Sequence, residues 1–172
     1  CVSMICQPYP LGTLGTYKYV VVLSHTGGKL LFSRHRDRTT WETQGGHIEP
    51  GETPLDAAKR ELYEESGALE FDIDAAFDYR AGDEHGHADG MVFLAHIRSL
   101  GDIPESEMAE VRTFDTLPPD EMLTYPGITP TLYRHAKKYF DPSVNIVITG
   151  NPVRGEMFTA EKEKSKAKLG LD

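Results

Sequence analysis

The chain has 172 residues, of which 39% are hydrophobic and 26% are charged, and its formal net charge is −9. This composition is typical of a soluble globular domain, and it excludes a disordered or fibrous chain. The acidic excess also disfavours a protein that grips long nucleic acid by its phosphates. A small polyphosphate could still bind, provided that a metal ion or a local basic patch supplies positive charge.

Membrane insertion and a disulfide framework are both disfavoured. The longest apolar run, Tyr19–Leu23, is far shorter than a membrane span. The two cysteines, Cys1 and Cys6, are too few for a disulfide framework and favour a reducing compartment. We therefore expect a cytoplasmic protein with no membrane partner.

The first third of the chain predicts an irregular start followed by a hairpin. Residues 1–17 hold several Pro and Gly residues and predict a lead-in or an edge strand. Tyr17–His25 is rich in valine and aromatic residues and predicts a buried strand, while the Gly-Gly pair in Thr26–Lys29 predicts a tight turn. Leu30–Phe32 continues as the return strand, and the basic cluster Arg34–Arg38 follows it.

A helix with clear boundary signals comes next. Thr53 is a good N-cap, Pro54 suits the first helical position, and Asp56 can complete a capping box. Gly67 is a typical C-terminal stop. These signals predict a helix over Pro54–Ser66.

The remainder of the domain predicts mostly strands. Its elements are the strands Leu69–Tyr79, Met91–Ile97 and Val111–Phe114, the polar loop Gly82–Gly90 between the first two, and a helix over Thr129–Tyr139. Strands mixed with two separate helices indicate an α/β layered fold.

Residues 141–172 predict a C-terminal extension. Val144–Thr149 has the composition of a short strand, and Phe158–Leu169 is dominated by Glu, Lys and Ala. The second segment could attract a partner or phosphate, but charged chain ends are usually solvated helices that fray, and we favour that interpretation.

The Pro54–Ser66 helix gathers carboxylates beside an apolar stripe. The stripe has the spacing of a core-facing surface and consists of Leu55, Ala58 and Leu62. Glu61, Glu64 and Glu65 adjoin it, and such like-charge neighbours repel unless a cation neutralises them. Carboxylate oxygens on a rigid element suit Mg²⁺ or Mn²⁺, which also bind substrate phosphates. The helix therefore predicts a divalent metal site.

The spacing of this segment is similar to the signature of a known family. In order, its fixed positions are Gly46-x5-Glu52-x7-Arg60-Glu61-Leu62-x-Glu64-Glu65-x-Gly67-Ala68. The Nudix signature is GX5EX7REUXEEXGU, where U is a bulky apolar residue, and every fixed position matches. Ala68 is smaller than usual, which affects packing rather than chemistry. The strand order over residues 18–140 also resembles a Nudix domain.

The resemblance implies both a fold and an activity. Nudix domains are α/β/α sandwiches with a mixed β-sheet, and most hydrolyse a nucleoside diphosphate linked to another group. Water attacks phosphorus in this reaction, with the help of a divalent metal. We therefore expect a pyrophosphohydrolase that uses Mg²⁺ or Mn²⁺ and acts on a small nucleotide, with the formation of a homodimer left open.

The resemblance also implies a role for each matched residue. Glu64 and Glu65 are expected to be the main metal ligands, and Glu61 is expected to bind metal or to act as general base. Arg60 is expected to hold a glutamate in place, and Glu52 to assist through an ion pair or water. The carbonyl of Gly46 would complete the metal shell.

Residues around the signature give weaker indications. Arg34, Arg36 and Arg38 precede it and could face substrate phosphates, or could form a solvated strand end. The arginine pattern before Trp41 also resembles a branch that hydrolyses oxidised purine nucleoside triphosphates. Glu84 lies in a polar loop from which Nudix domains often supply an extra acidic group.

Two other functions stay open. One is hydrolysis of nucleoside diphosphate sugars of the ADP-ribose type, although the loop sequence around Glu84 argues mildly against it. The other is a nucleotide-binding Nudix module without turnover. Such modules generally lose signature carboxylates, and this chain keeps all of them. An isoprenoid-isomerising relative would need a cysteine inside the domain.

Overall fold

The computed structural model of the protein describes residues 4–144 and residue 146. In this part of the chain, seven strands form one sheet. Their bounds are β1 Ile5–Pro10, β2 Tyr19–Thr26, β3 Lys29–His35, β4 Gln44–His47, β5 Ala68–Asp83, β6 Gly86–Leu100 and β7 Met108–Phe114. Two α-helices accompany the sheet, α1 at Pro54–Ser66 and α2 at Thr129–Ala136, with 3₁₀ turns at Asp120–Met122 and Lys137–Tyr139.

The sheet is mixed. Its strand order is β1-β5-β6-β2-β3-β7, and β2 runs parallel to β6 while the other pairs are antiparallel. Strand β4 pairs with the first half of β2, and β3 pairs with its end. Because β2 is shared in this way, β4 belongs to the sheet but lies off the main strand order, and it contacts α1.

The two helices cover opposite faces of the sheet. On the α1 face, Leu62 packs with Val22 and Phe93. On the α2 face, Leu132 packs in a larger cluster that includes Phe77. The architecture is therefore the predicted α/β/α sandwich. No helix within the described ranges is long and apolar enough to cross a membrane.

The local signals of the first half are confirmed. Helix α1 has the predicted bounds, and Gly27 and Gly28 form the β2–β3 turn with φ values of +58° and +78°. An edge strand, β1, lies inside the predicted lead-in and pairs with β5.

The predicted loop Gly82–Gly90 is wrong. Strands β5 and β6 pair all the way to Asp83 and Gly86, so the turn consists of Glu84 and His85 alone. The segment is polar because both strands end in an exposed ribbon, and cross-strand pairing, not burial, keeps it extended.

The C-terminal predictions need smaller corrections. The predicted helix Thr129–Tyr139 is α-helical to Ala136 and ends in a 3₁₀ turn. Val144 and Ile146 are buried in the α2-face cluster and are not in a strand. The rest of the predicted Val144–Thr149 strand and the whole of Phe158–Leu169 lie outside the described residues.

Candidate active site

Helix α1 is fixed at both ends by local bonds. The Thr53 side chain accepts a hydrogen bond from the Asp56 amide at 3.1 Å, and the Asp56 carboxylate accepts one from the Thr53 amide, which completes a capping box. At the other end, Gly67 has φ +80° and donates its amide hydrogen to the carbonyl of Tyr63. Helix α1 therefore holds its carboxylates on a rigid element.

Arg60 is the centre of the carboxylate cluster on α1. Its guanidinium donates two hydrogen bonds to Glu52, at 2.7 and 2.9 Å. It also donates to Glu61 at 2.9 Å and to Glu64 at 3.4 Å. A further hydrogen bond, of 3.1 Å, reaches the backbone carbonyl of His47 at the end of β4. The structure thus brings four of the residues predicted from the signature into one contact group.

This geometry separates the electrostatic roles of the glutamates. The bidentate pair with Arg60 lowers the pKa of Glu52 to about 2, helped by a hydrogen bond from the Glu49 amide. Burial raises the pKa of Glu61, although Arg60 acts in the opposite direction. Glu52 therefore stays ionised and neutralises the charge of Arg60. Glu61, whose pKa is raised, is the better proton acceptor.

Glu65 occupies a different environment. Its Oε1 accepts a hydrogen bond from the Gly45 amide at 2.7 Å. Burial is the main cause that raises the pKa of Glu65 to about 8; the Gly45 amide acts in the opposite direction, and the carboxylates of Glu61, Glu42 and Glu64 add to the rise. A buried carboxylate among other carboxylates is costly to ionise unless a cation approaches it.

Two glycines allow β4 to approach these carboxylates. Gly45 has φ +153°, and a Cβ there would collide with the carbonyl oxygen of Val20. At Gly46 a Cβ would lie 2.5 Å from Glu61 Oε1. The Glu61 carboxylate therefore lies directly against the backbone whose carbonyl is predicted to bind metal.

The donor set fits a hard divalent cation. Within the described ranges, no three His, Cys, Asp or Glu side chains form a ready-made metal cluster. However, the predicted ligands Glu61, Glu64 and Glu65 lie on one helix, and Glu61 contacts the predicted backbone ligand Gly46. Their oxygens suit Mg²⁺ or Mn²⁺, and a cation there would offset the cost of ionising Glu65.

The three upstream arginines differ in their contacts. Arg34 pairs with Glu110 at 3.2 Å and also donates to the Arg38 carbonyl. Arg38 pairs with Glu42 at 3.1 Å. The side chain of Arg36 is exposed, and in the described part of the chain it has no hydrogen-bond or ion-pair partner. Arg36 is thus the most available of the three for a phosphate.

Sequence reasoning did not select two residues near the site. Glu42 is only 9% exposed and lies close enough to Glu65 to raise its pKa. Tyr125 lies close enough to Arg38 to raise its pKa and is 45% exposed. No local pattern marks them, because β-bridges Ser33–Glu42 and Trp41–Leu123 bring these segments together from distant parts of the chain.

Glu84 lies outside the contact group. It is at the tip of the β5–β6 hairpin, where it lies 3.5 Å from His85. No hydrogen bond or ion pair joins it to Arg60 among residues 4–144. Its predicted role toward substrate stays a prediction.

Curated relatives match the chain over part of its length. The chain is 43% identical to an RNA pyrophosphohydrolase of Psychrobacter sp. (strain PRwf-1) over 47 residues, which is 27% of each chain. It is 32% identical to an RNA pyrophosphohydrolase of Francisella tularensis subsp. mediasiatica (strain FSC147) over 72 residues, which is 42% of this chain and 46% of the relative. The chain thus spans between about a quarter and a half of these relatives.

Solved structures match more of the fold. A mutant of the Bacillus subtilis pyrophosphohydrolase BsRppH aligns with a TM-score of 0.59 and 28% identity, over 66% of this chain and 73% of that one. A Nudix hydrolase family member from Chromobacterium violaceum aligns with a TM-score of 0.53 and 18% identity, over 91% and 96%. The second likeness concerns the fold alone.

The model of the NUDIX domain matches residues 17–141, which include both α-helices and all strands except β1. The chain therefore belongs to the Nudix family.

Proposed function

We propose that this protein is a metal-dependent pyrophosphohydrolase that cleaves a phosphoanhydride bond of a nucleotide by attack of water on phosphorus. The observation that carries the proposal is the contact group around Arg60, with Glu65 and Gly46 beside it. This arrangement places four carboxylates on or next to one rigid helix. The two curated relatives and the Bacillus subtilis protein are named pyrophosphohydrolases, which supports the same reaction class.

Each residue of the group has a distinct task in this proposal. Glu64 and Glu65 hold the metal with the carbonyl of Gly46. Glu61 either joins them or accepts the proton of the attacking water, for which its raised pKa is suited. Arg60 fixes Glu61 and Glu64 and is itself held by Glu52.

The bound Mg²⁺ or Mn²⁺ would supply Lewis-acid stabilisation of charge on the phosphate oxygens. The chain itself provides the cation for a second phosphate through Arg36, and also through Arg34 and Arg38 when a phosphate replaces their glutamate partners. Arginine suits this task because its planar donors match phosphate oxygens.

Two substrate classes follow from different observations. The curated relatives are RNA pyrophosphohydrolases, which favours RNA with a 5′-triphosphate. The pattern of Arg34, Arg36 and Arg38 before Trp41 favours a small nucleotide, and among small nucleotides it favours oxidised purine nucleoside triphosphates. The net charge of −9 fits recognition of a short 5′ end better than contact along a strand. We place ADP-ribose third.

The test is turnover in Mg²⁺ against 5′-triphosphate RNA, oxidised and ordinary nucleoside triphosphates, and ADP-ribose. We expect the wild type to hydrolyse one of these substrate classes. Glu64→Gln should lower kcat for that class by about 100-fold or more.

Glu70→Gln is the matched control, because it removes the same charge at an exposed position on β5. It should keep wild-type turnover. If the folded wild type binds Mn²⁺ but hydrolyses none of these compounds, the binding module without turnover replaces this proposal. Turnover that needs no divalent ion would contradict the metal mechanism.

A further inference from the structure

Three polar side chains form a buried hydrogen-bonded chain beneath the candidate site. Ser24 on β2, Ser33 on β3 and Gln44 on β4 are each 0% exposed. Ser24 Oγ donates to Gln44 Oε1 at 2.6 Å, and Gln44 Nε2 donates to Ser33 Oγ at 2.9 Å. Ser33 Oγ then donates to the backbone carbonyl of Glu65 at 2.8 Å. These hydrogen bonds therefore connect the centre of the sheet to Glu65, a predicted metal ligand.

The backbone carbonyl of Glu65 is the last acceptor in this series, and it determines the direction of all three hydrogen bonds. A backbone carbonyl can only accept, so the single hydroxyl hydrogen of Ser33 must point to Glu65. The Ser33 oxygen must then accept from the amide NH₂ of Gln44, whose oxygen faces Ser24. One orientation of the Gln44 amide satisfies all three bonds.

Glu65 is held at two points by the same segment of β4. Its carbonyl is bonded through Ser33 to the side chain of Gln44, and its carboxylate is bonded to the amide of the next residue, Gly45. These bonds close a ring through the backbone of Gln44–Gly45 and the side chain of Glu65. A closed ring fixes the rotation of the Glu65 side chain as well as the position of its main chain.

The ring also solves a problem at the end of α1. The last four carbonyls of a helix lack intrahelical partners, and that of Glu65 is one of them. Ser33 satisfies this carbonyl from a neighbouring strand. The end of the helix is thus bonded to the sheet directly below the carboxylate.

We propose that Gln44 and Ser33, supported by Ser24, are positioning residues that orient the Glu65 carboxylate for divalent metal binding. The inference depends on the proposed function through the metal alone and not through the identity of the substrate. An apolar trio of similar shape would fill this part of the core at comparable stability. The polar trio in addition fixes the orientation of the Glu65 carboxylate.

The test compares Ser33→Ala, Gln44→Leu and Ser24→Ala with the wild type by two readouts that need no substrate. The first is the Mn²⁺ dissociation constant, measured by electron paramagnetic resonance of free Mn²⁺. The second is the hydrogen-exchange rate of the Gly45 amide in the metal-free protein, measured by NMR.

Ser33→Ala and Gln44→Leu break the ring. We expect each to weaken Mn²⁺ binding by about 10-fold or more, as for other groups that orient metal ligands. The Gly45 amide should also exchange several-fold faster, because its acceptor is no longer held. Ser24→Ala leaves the ring closed and should produce a smaller change in both readouts. Turnover by the ring variants should recover at saturating Mn²⁺.

Thr26→Val is the matched control. Thr26 is also on β2, and its hydroxyl donates to the Ile97 carbonyl at 2.9 Å, outside the ring. It should lower the melting temperature without changing Mn²⁺ affinity or Gly45 exchange.

The outcomes separate the two proposals. Unchanged Mn²⁺ affinity and unchanged Gly45 exchange in folded Ser33→Ala would overturn the positioning role while leaving hydrolysis intact. Mn²⁺ binding by a wild type that hydrolyses nothing, together with weaker binding by Ser33→Ala, would support the positioning role and reject the hydrolase. Losses of the same size in Thr26→Val would assign the effect to general destabilisation and reject positioning.

Discussion

Glu65 is a proposed metal ligand, and its ionisation is therefore expected to make metal binding depend on pH. Its pKa in the metal-free fold is about 8, well above the ordinary glutamate value of 4.5, because the carboxylate is buried. A metal ion needs the ionised form. We expect Mn²⁺ affinity to rise by up to about 10-fold per pH unit between pH 6 and pH 8, and then to level off. Calorimetric titration at pH 6, 7, 8 and 8.5 measures it.

The raised pKa of Glu65 also predicts how the stability of the metal-free protein depends on pH. A raised folded pKa stabilises the fold below pH 4.5, and this contribution is lost as pH rises toward 8. Glu65→Gln carries no charge there and should be more stable than the metal-free wild type at pH 8.5. Its melting temperature should also gain less from Mn²⁺. Equal Mn²⁺ affinity of the wild type at pH 6 and pH 8.5 would contradict the assignment of Glu65 as a ligand.

The contacts of individual residues in the candidate site were predictable where the signature names them and not elsewhere. Glu52, Arg60, Glu61 and Glu64 form one contact group, as the resemblance to the signature implies. By contrast, Gln44 gave no local signal of its role. Its partners lie on other strands, 11 and 20 residues away, and only the folded sheet brings them together.

At the scale of elements, two glycines at the borders of α1 allow a matched test. Gly51 and Gly67 have nearly the same φ, +86° and +80°. A Cβ at Gly51 would meet no atom within 4 Å, whereas one at Gly67 would lie 2.6 Å from the carbonyl oxygen of Gly101. Gly51→Ala should therefore lower the free energy of unfolding by about 1–2 kcal/mol, which is the backbone cost alone. Gly67→Ala should lose at least about twice as much.

Urea denaturation of both variants measures the difference. Gly67→Asn is a useful third protein, because Asn tolerates this backbone conformation but carries the same Cβ. It should stay close to Gly67→Ala. Recovery of stability in Gly67→Asn, or equal losses in the two alanine variants, would show that the clash with the Gly101 carbonyl does not matter.

Elements were predictable where their signals are local. Helix α1 has its predicted bounds because Thr53, Pro54, Asp56 and Gly67 act within one or two turns of the chain. The β5–β6 ribbon was not predictable, since the strand ends Gly82–Asp83 and Gly86–His87 hold only glycine and polar residues and are exposed or half-buried. They are extended because β1 pairs with one side of β5 and β6 pairs with the other.

For the whole molecule, the candidate active site and the larger core lie on opposite faces of the sheet. Helix α1 carries the carboxylate cluster on one face, and α2 covers the cluster that contains Phe32, Phe77 and Leu132 on the other. The family resemblance predicted this sandwich. It could not predict that Val144 and Ile146, after α2, join the core, because the resemblance ends near residue 140 and the composition of the extension does not show where it packs.

Val144 tests how the start of this extension contributes to stability. It is 6% exposed in the α2-face cluster, and its amide donates to the carbonyl of Asp141. Val144→Ala removes two buried methyl groups and should lower the free energy of unfolding in urea by about 2 kcal/mol. Leu69→Ala, at a position 58% exposed, should change it by less than about 0.5 kcal/mol. The Mn²⁺ affinity of folded Val144→Ala should equal that of the wild type, because the lost contacts lie across the sheet from α1. Reduced affinity in Val144→Ala would mean that the two faces are coupled through the shared strand β2.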